Sequence, residues 1–407
     1  MIAAAGDCIY VPTSSGQGGL AALTISENTN LTIVDLIRDP IGTGGFERPR
    51  DFAIADDHAY VIGPAAVTAI SVANPDDPKM VGNIAAFELT NANVIEVAGD
   101  YAYVITPWPS LTVVNIADPA NLTVAGVLQD SRLTGAKDIE IAGDYVYVSL
   151  GTSSGGVAVV SIADIGNLTI ASVFEDALLG PVTQMTLRGN LAYVTSQYNE
   201  VLAIVDLTDP RNLTLAGILQ DSVRFKLLED IAISGDCVFV SDGFSRGVLA
   251  VNITQPSNLT VVGTVTDNEF SGVGSLAVFG DILIASRDDG FTMVNISDPA
   301  ELAIAGSFSS TTLLDRIRRV RVAENYAYAT AVDSQSFISA ACRDYYVYGC
   351  VYGDDNHFEN LNVVLLPAGN LKNLDIVLTH VKHHVVLDSV CFDHVFFDDN
   401  AELDTGS

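Results

Sequence analysis

The chain has 407 residues, 49% of them apolar, and sets 50 Asp and Glu against 19 Lys and Arg for a formal charge of −31. Such a body repels polyanions, which excludes nucleic acid and anionic lipid as bulk partners. No run approaches the roughly 18 uninterrupted apolar residues of a membrane-spanning helix, so a soluble monomer without membrane insertion is expected. The opening MIAAAGDCIYV lacks a basic residue ahead of an apolar run, and no export signal is read there.

In chain order, a short first strand over 1–5 leads into a turn and strand, GDCIYV at Gly6. The same mark returns as DDHAYV at Asp56, GDYAYV at Gly99, GDYVYV at Gly143, GNLAYV at Gly189, GDCVFV at Gly235, GDILIA at Gly280 and ENYAYA at Glu324, at spacings of 43 to 50 residues. A hairpin follows each of the first seven marks, as in VVNIADPANLTVAGVLQD and IVDLTDPRNLTLAGILQD. Every unit thus holds four short runs rich in Val and Ile, broken by Gly-Asp and Asp-Pro turns, which is the pattern of antiparallel strands. A period of about 45 residues with four strands per unit predicts an all-β chain, a β-propeller of four-stranded antiparallel blades.

The end of the chain is less regular. The blades are expected over 1–331, with an insertion over 332–359 inside the last blade. The segment 360–407 then completes that blade and supplies a ring-closing strand from VVLDSVCFDHVFFDD at Val385. An open sheet edge invites aggregation, so the first and last blades should pair. This gives eight blades, or seven if the irregular tail lies outside the ring. Five cysteines are too few for a disulfide framework, although Cys342 and Cys350 flank RDYYVYG and could close a small loop.

The runs LAIVDLTDP at Leu202, LTVVNIADP at Leu111 and LTIVDL at Leu31 resemble the LVIVD repeat, and the resemblance covers about 2–310. It implies a propeller used as a binding or surface module and says little about activity. The hairpin turn departs from the family's Asn-Pro and reads mostly Asn-Leu-Thr.

In a propeller, the loops between blades and those from the second to the third strand share one face, where function is expected. The loops between blades hold Arg48, Arg50, Arg132, Lys137, Arg224, Lys226, Arg316, Arg318 and Arg319, and the second-to-third-strand loops add Arg246 and Arg287. Two readings follow: a basic mouth that attracts anionic groups, or salt bridges to the adjacent Asp51, Asp130, Asp138, Asp221, Asp230 and Asp315 that pin the loops. The same loops hold Phe46, Trp108, Tyr198, Phe225, Phe244 and Phe270. Trp108 sits between two prolines, a stiff presentation suited to stacking. The expected ligand-binding set is Arg50, Trp108, Arg132, Lys137, Tyr198, Arg224, Phe244 and Arg318.

No serine elbow, Cys-His pairing, phosphate loop or dinucleotide fingerprint is present. The expected function is therefore a non-catalytic binding module for a protein, peptide or glycan, at a cell surface or outside the cell. The alternative is a hydrolase or oxidoreductase at the mouth of the channel. No catalytic residue, metal site or cofactor is expected; the acidic run DDNHFEN, 354–360, could bind calcium but does not fit an EF-hand. His380 and His384 lack the companions of a metal site. Asn-X-Ser/Thr triplets stand at Asn30, Asn121, Asn167, Asn212, Asn252, Asn258 and Asn295. Five of these fall at one repeated turn position, where Asn could serve as a left-handed residue or, given a secretory route in a eukaryotic setting, carry a glycan.

Overall fold

The computed structural model describes residues 50–307, apart from 64, 72, 74–78, 288, 289 and the side chain of Phe279; outside that span it describes only strand backbones. Six four-stranded antiparallel sheets follow one another: I over 51–85, II over 94–129, III over 136–175, IV over 182–220, V over 228–266 and VI over 276–309. Within each, the strands lie in chain order from inner to outer edge. Among the described residues, helix is confined to short 3₁₀ turns such as Ser131–Leu133 and Asn268–Phe270. The chain is all-β with the architecture of a β-propeller, as its period predicts.

Burial falls from the inside of each sheet outward. In sheet III the second and third strands, Tyr145–Leu150 and Gly156–Ser161, are buried at all but one position each. They read as continuous apolar runs because neighbouring sheets cover both faces. The outer strand Lys79–Ala85 of sheet I instead alternates exposed and half-buried residues, since one of its faces meets water. The core lies between sheets: Tyr193, Leu202 and Ile204 of IV pack with Val238, Val240, Leu249 and Val251 of V in one cluster. Each such Val or Leu contributes about 2 kcal/mol on burial.

Two recurring contacts join successive sheets, an outer one at all five junctions between sheets I and VI and an inner one at three of them. At the outer edge, every one of the six sheets has a register shift between its third and fourth strands, as at Ile204/Val205. The bulge brings a glycine against the next sheet's turn: a Cβ on Gly82, Gly217 or Gly263 would lie 2.0, 1.7 or 2.0 Å from the carbonyl oxygen of Pro119, Pro256 or Pro299. Sheet III carries Ser172 there, and its hydroxyl donates to Pro210 O at 2.7 Å.

At the inner edge, a buried carboxylate accepts the backbone N–H of a neighbouring inner strand. Asp51 takes Ile95 N at 3.0 Å, Asp138 takes Met185 N at 3.0 Å and Asp230 takes Leu276 N at 2.8 Å. Asp230 also accepts from Ser275 Oγ and from Gln184 Nε2, so it joins sheets IV, V and VI.

Beyond the described side chains, Ala3–Ala5 pairs with Cys8–Thr13, and Tyr326–Ala331 meets Cys8–Thr13 in parallel at Thr13 and Ala331. The backbone hairpin Ser339–Arg343 and Tyr346–Cys350 sets Cys342 opposite Val347 and Cys350 opposite Ser339; the side chains of both cysteines lie outside the described residues. Apart from such strand backbones, the expected insertion over 332–359 and the expected closing segment over 360–407, with the 354–360 acidic run, His380 and His384, lie outside the described residues.

The two contacts carry separate tests. Gly217→Ala should lower stability by about 1–3 kcal/mol through overpacking against Pro256. Asp230→Ala should cost about 3 kcal/mol by orphaning buried donors, and Asp230→Asn, which keeps an acceptor oxygen, should cost less. Chemical denaturation of each variant measures both.

Candidate functional site

The loops that join an outer strand to the next inner strand share one end of the sheets with the loops between second and third strands. An aspartate begins most of the joining loops. Asp130 accepts Arg132 N, Asp176 accepts Leu178 N, Asp221 accepts Val223 N and Asp267 accepts Glu269 N, all at 2.9 to 3.1 Å. The apolar residue that follows turns inward: Leu89, Leu133, Leu179, Phe225 and Phe270 are buried. Phe225 and Phe270, expected among the loop aromatics, therefore belong to the core, while Phe46 lies outside the described residues.

An apolar residue one or two positions before that anchor points the other way on three of these loops. Phe87, Leu178 and Val223 on joining loops, with Trp108, Tyr198 and Phe244 on second-to-third-strand loops, are 58% to 82% exposed. Every other large apolar side chain classed as exposed among the described residues sits near 40% on an outer strand. Leaving one Phe or Leu in water forgoes on the order of 2 kcal/mol, and six such residues at one end form a surface rather than scattered exceptions. Phe87, Leu178 and Val223 fall outside the expected set: Phe87 stands on a joining loop without a base, and Leu178 and Val223 are neither bases nor aromatics. The signal that marks Leu178 and Val223 is an aspartate two residues before an apolar side chain that precedes the buried anchor.

These loops are held in place. Phe244 N and Ser245 N donate to the buried Asp242, which also takes Lys226 N. Asn199 Nδ2 donates to Ala177 O and Leu178 O, and Gln220 Nε2 donates to Asn199 O. The backbone carrying Leu178, Tyr198, Val223 and Phe244 is thus one bonded network across sheets III to V. Trp108 stands on a separate support, where Thr106 Oγ1 donates to its carbonyl at 2.7 Å.

The bases of this end are tied to the same frame. Arg132 forms a two-pronged pair with Asp130 at 2.9 and 2.5 Å, Arg224 pairs with Asp221 at 2.5 Å, Lys226 reaches Glu200 at 3.6 Å, and Arg287 pairs with Glu269. Arg50 donates to Asn91 O at 3.1 Å on the next joining loop. Lys137 is exposed, with its stem over Gly151, where a Cβ would meet it at 2.9 Å. Asp130 and Asp221 are thus partners of the bases beside them, whereas Asp51, Asp138 and Asp230 supply the inner-edge bonds between sheets. The side chain of Arg318, on the strand Ile317–Ala323, and all of Asp315 lie outside the described residues.

At the opposite end, an open pocket of about 610 Å³ between sheets II and III is lined by Tyr101, Tyr103, Asp144, Asp164 and small residues. No group of His, Cys, Asp and Glu among the described residues could hold a metal ion, and no helix among them is long and apolar enough to cross a membrane.

The Arg132 guanidinium and the Arg132 backbone N–H hold the Asp130 carboxyl at about 2, below its ordinary 3.8. A carboxylate with a depressed value contributes stability above its unfolded value and loses it as pH falls through the folded one. The Asp130 contribution should therefore be full above about pH 4 and fade toward pH 2. Arg132→Ala should return the Asp130 titration toward 3.8, read from carboxyl chemical shifts.

No curated protein matches the chain significantly. Among solved structures, it is similar to a protein of Lactobacillus plantarum at 16% identity, covering 72% of this chain and 96% of that one with a TM-score of 0.58. The periplasmic gluconolactonase of Pseudomonas aeruginosa is similar at 12% identity, with 74% and 96% covered and a TM-score of 0.61. BamB of Moraxella catarrhalis is similar at 14% identity, with 81% and 93% covered and a TM-score of 0.52. At these identities the likeness is one of fold. The LVIVD repeat is matched at 90–130, 135–174, 180–221, 228–267 and 273–310, each match ending at or just past an outer strand of sheets II to VI, and with these five copies the chain belongs to the LVIVD-repeat family.

Proposed function

We propose that the chain is a non-catalytic binding propeller that takes a segment of a partner protein on its loop end, at a cell surface or outside the cell. The observation that carries this reading is the set Leu178, Tyr198, Val223 and Phe244, exposed on loops that hydrogen bonds already fix. A surface ordered before binding loses little conformational freedom on association, so its apolar area is free to act in affinity. Aromatic residues such as Tyr198 and Phe244 are enriched at the cores of protein interfaces, and Leu178 and Val223 extend the apolar area on the neighbouring loops.

Charge narrows the partner. The guanidinium groups of Arg132, Arg224 and Arg287 are already paired, and the net charge is −31. An apolar segment flanked by Lys or Arg complements this surface better than an anionic one. The similarity to BamB and to a periplasmic gluconolactonase is in keeping with a location in the cell envelope or outside the cell.

An eight-unit ring belongs to the same reading. It is supported by the succession of inner strands: Ile317–Ala323 lies beside Leu276–Phe279 on one side and Ala3–Ala5 on the other, and Ala3–Ala5 lies beside Asp51–Ala55.

Cross-linking capture from surface and secreted fractions of the native cells tests the function. The wild type should retain a partner that Tyr198→Ser with Phe244→Ser loses by at least tenfold at an unchanged melting temperature, whereas Arg132→Ala with Arg224→Ala should reduce capture less than threefold, the losses expected for about 1.4 and 0.6 kcal/mol. Equal capture by the Tyr198 and Phe244 variant would remove the loop end as the site, and turnover of a sugar lactone by the purified wild type would favour the enzyme alternative.

A further inference from the structure

The turn between third and fourth strands repeats a triplet that the fold does not require. Asn121, Asn167, Asn212 and Asn258 each precede Leu-Thr, and each backbone N–H closes the same short turn onto Asp118, Asp164, Asp209 or Gln255 at 2.8 to 2.9 Å. A structural reason for Asn would be a left-handed backbone, but the described non-glycine residues with positive φ are Asp56, Asn91, Glu200 and Arg246. Sheet VI closes the same turn with Glu301, whose N–H reaches Asp298 O at 3.0 Å. Neither an amide nor a left-handed residue is needed at this position.

The surroundings suit an acceptor. Each Asn is exposed, the Leu after it is buried, and the Thr after that is exposed at the first position of the outer strand. The buried Leu122, Leu168, Leu213 and Leu259 anchor the triplet, so the amide and the hydroxyl flank one fixed residue on the surface. Asn121 alone of the four has a side-chain bond described, to Asp118 at 2.7 Å, and it is exposed. Asn252 and Asn295 differ. They end third strands, and their Oδ1 atoms accept Thr254 N and Ser297 N, as Asn115 and Asp206 do for Ala117 N and Thr208 N. There the side chain has a structural use, which also accounts for Asn115, where no triplet exists.

We infer that Asn167, Asn212 and Asn258, with Asn121, are acceptor sites for N-linked glycans, one per sheet on the rim of the turn end. The donor is a glycan carried on a lipid pyrophosphate. The amide nitrogen forms a bond to the anomeric carbon and loses a proton, while the bond from that carbon to the pyrophosphate oxygen breaks and the lipid pyrophosphate departs with the electron pair. The transferase comes from the cell, and the propeller is its substrate. A sugar on each turn would hydrate that rim and leave the opposite, apolar end as the uncovered surface; the assignment does not depend on what that end binds.

Glycopeptide mass spectrometry of the full chain from its native cells tests the inference, with fragmentation that keeps the sugar on its residue. Sugar should be found on Asn167, Asn212 and Asn258 and not on Asn252. Thr214→Ala should remove it from Asn212 alone, and Thr214→Ser, which keeps the hydroxyl, should retain it, so loss through misfolding is told apart from loss of the acceptor. Unmodified peptides at all four turn positions would overturn the inference. So would occupancy of Asn252 equal to that of Asn258, because the structural distinction between them would then decide nothing.

Discussion

The junction between successive sheets is the constraint on which the rest of this structure depends. A four-stranded sheet buried on both faces cannot stand alone, because its second and third strands are apolar on either side. Each must therefore find neighbours at a fixed angle. The outer contact, a bulged strand laid on the next turn's carbonyl, sets how closely the rims approach. The inner contact, a carboxylate on the next inner strand, sets the approach at the centre. Two contacts at different radii define a rotation, which is why small residues and buried acids recur where bulk apolar packing alone would have allowed slippage.

The loop end inherits its rigidity from this arrangement. Because the inner and outer strands are placed by the junctions, the loops between them span fixed gaps, and an aspartate at the start of a loop is enough to set its course. One apolar residue then falls inward and another, one or two positions earlier, falls outward, with the same local chemistry serving both the core and the surface. Ion pairs such as Arg132 with Asp130 consolidate loops already shaped by backbone bonds, and their exposure keeps their individual contribution small.

Much of this was legible before any coordinates. The 45-residue period, the four β-branched runs and the Gly-Asp turns identified the units because local strand pairing repeats at fixed spacing. The bases of the loop end and the aspartates beside them were legible too, but not which of those aspartates pair: Asp130 and Asp221 resemble Asp138 and Asp230 in a linear reading, and only burial separates a loop pair from a bond between strands. Trp108, Tyr198 and Phe244 stand out on the surface as expected, whereas Phe225 and Phe270 do not, because a shift of one or two residues after the capping aspartate reverses the side chain. Leu178 and Val223 escaped notice because an aliphatic residue in an otherwise apolar repeat carries no contrast.

The junction contacts also have a direction. The glycine of one sheet meets the turn of the following sheet and never the reverse, and Asp51, Asp138 and Asp230 each reach forward to a later inner strand. Such head-to-tail interfaces close into a ring only when the accumulated rotation returns to its start, and otherwise continue as a helical array. An incomplete run of these sheets would present an unmatched glycine edge at one end and an unmatched turn edge at the other. Those two edges complement each other, so fragments of this chain carry the means to join one molecule to the next.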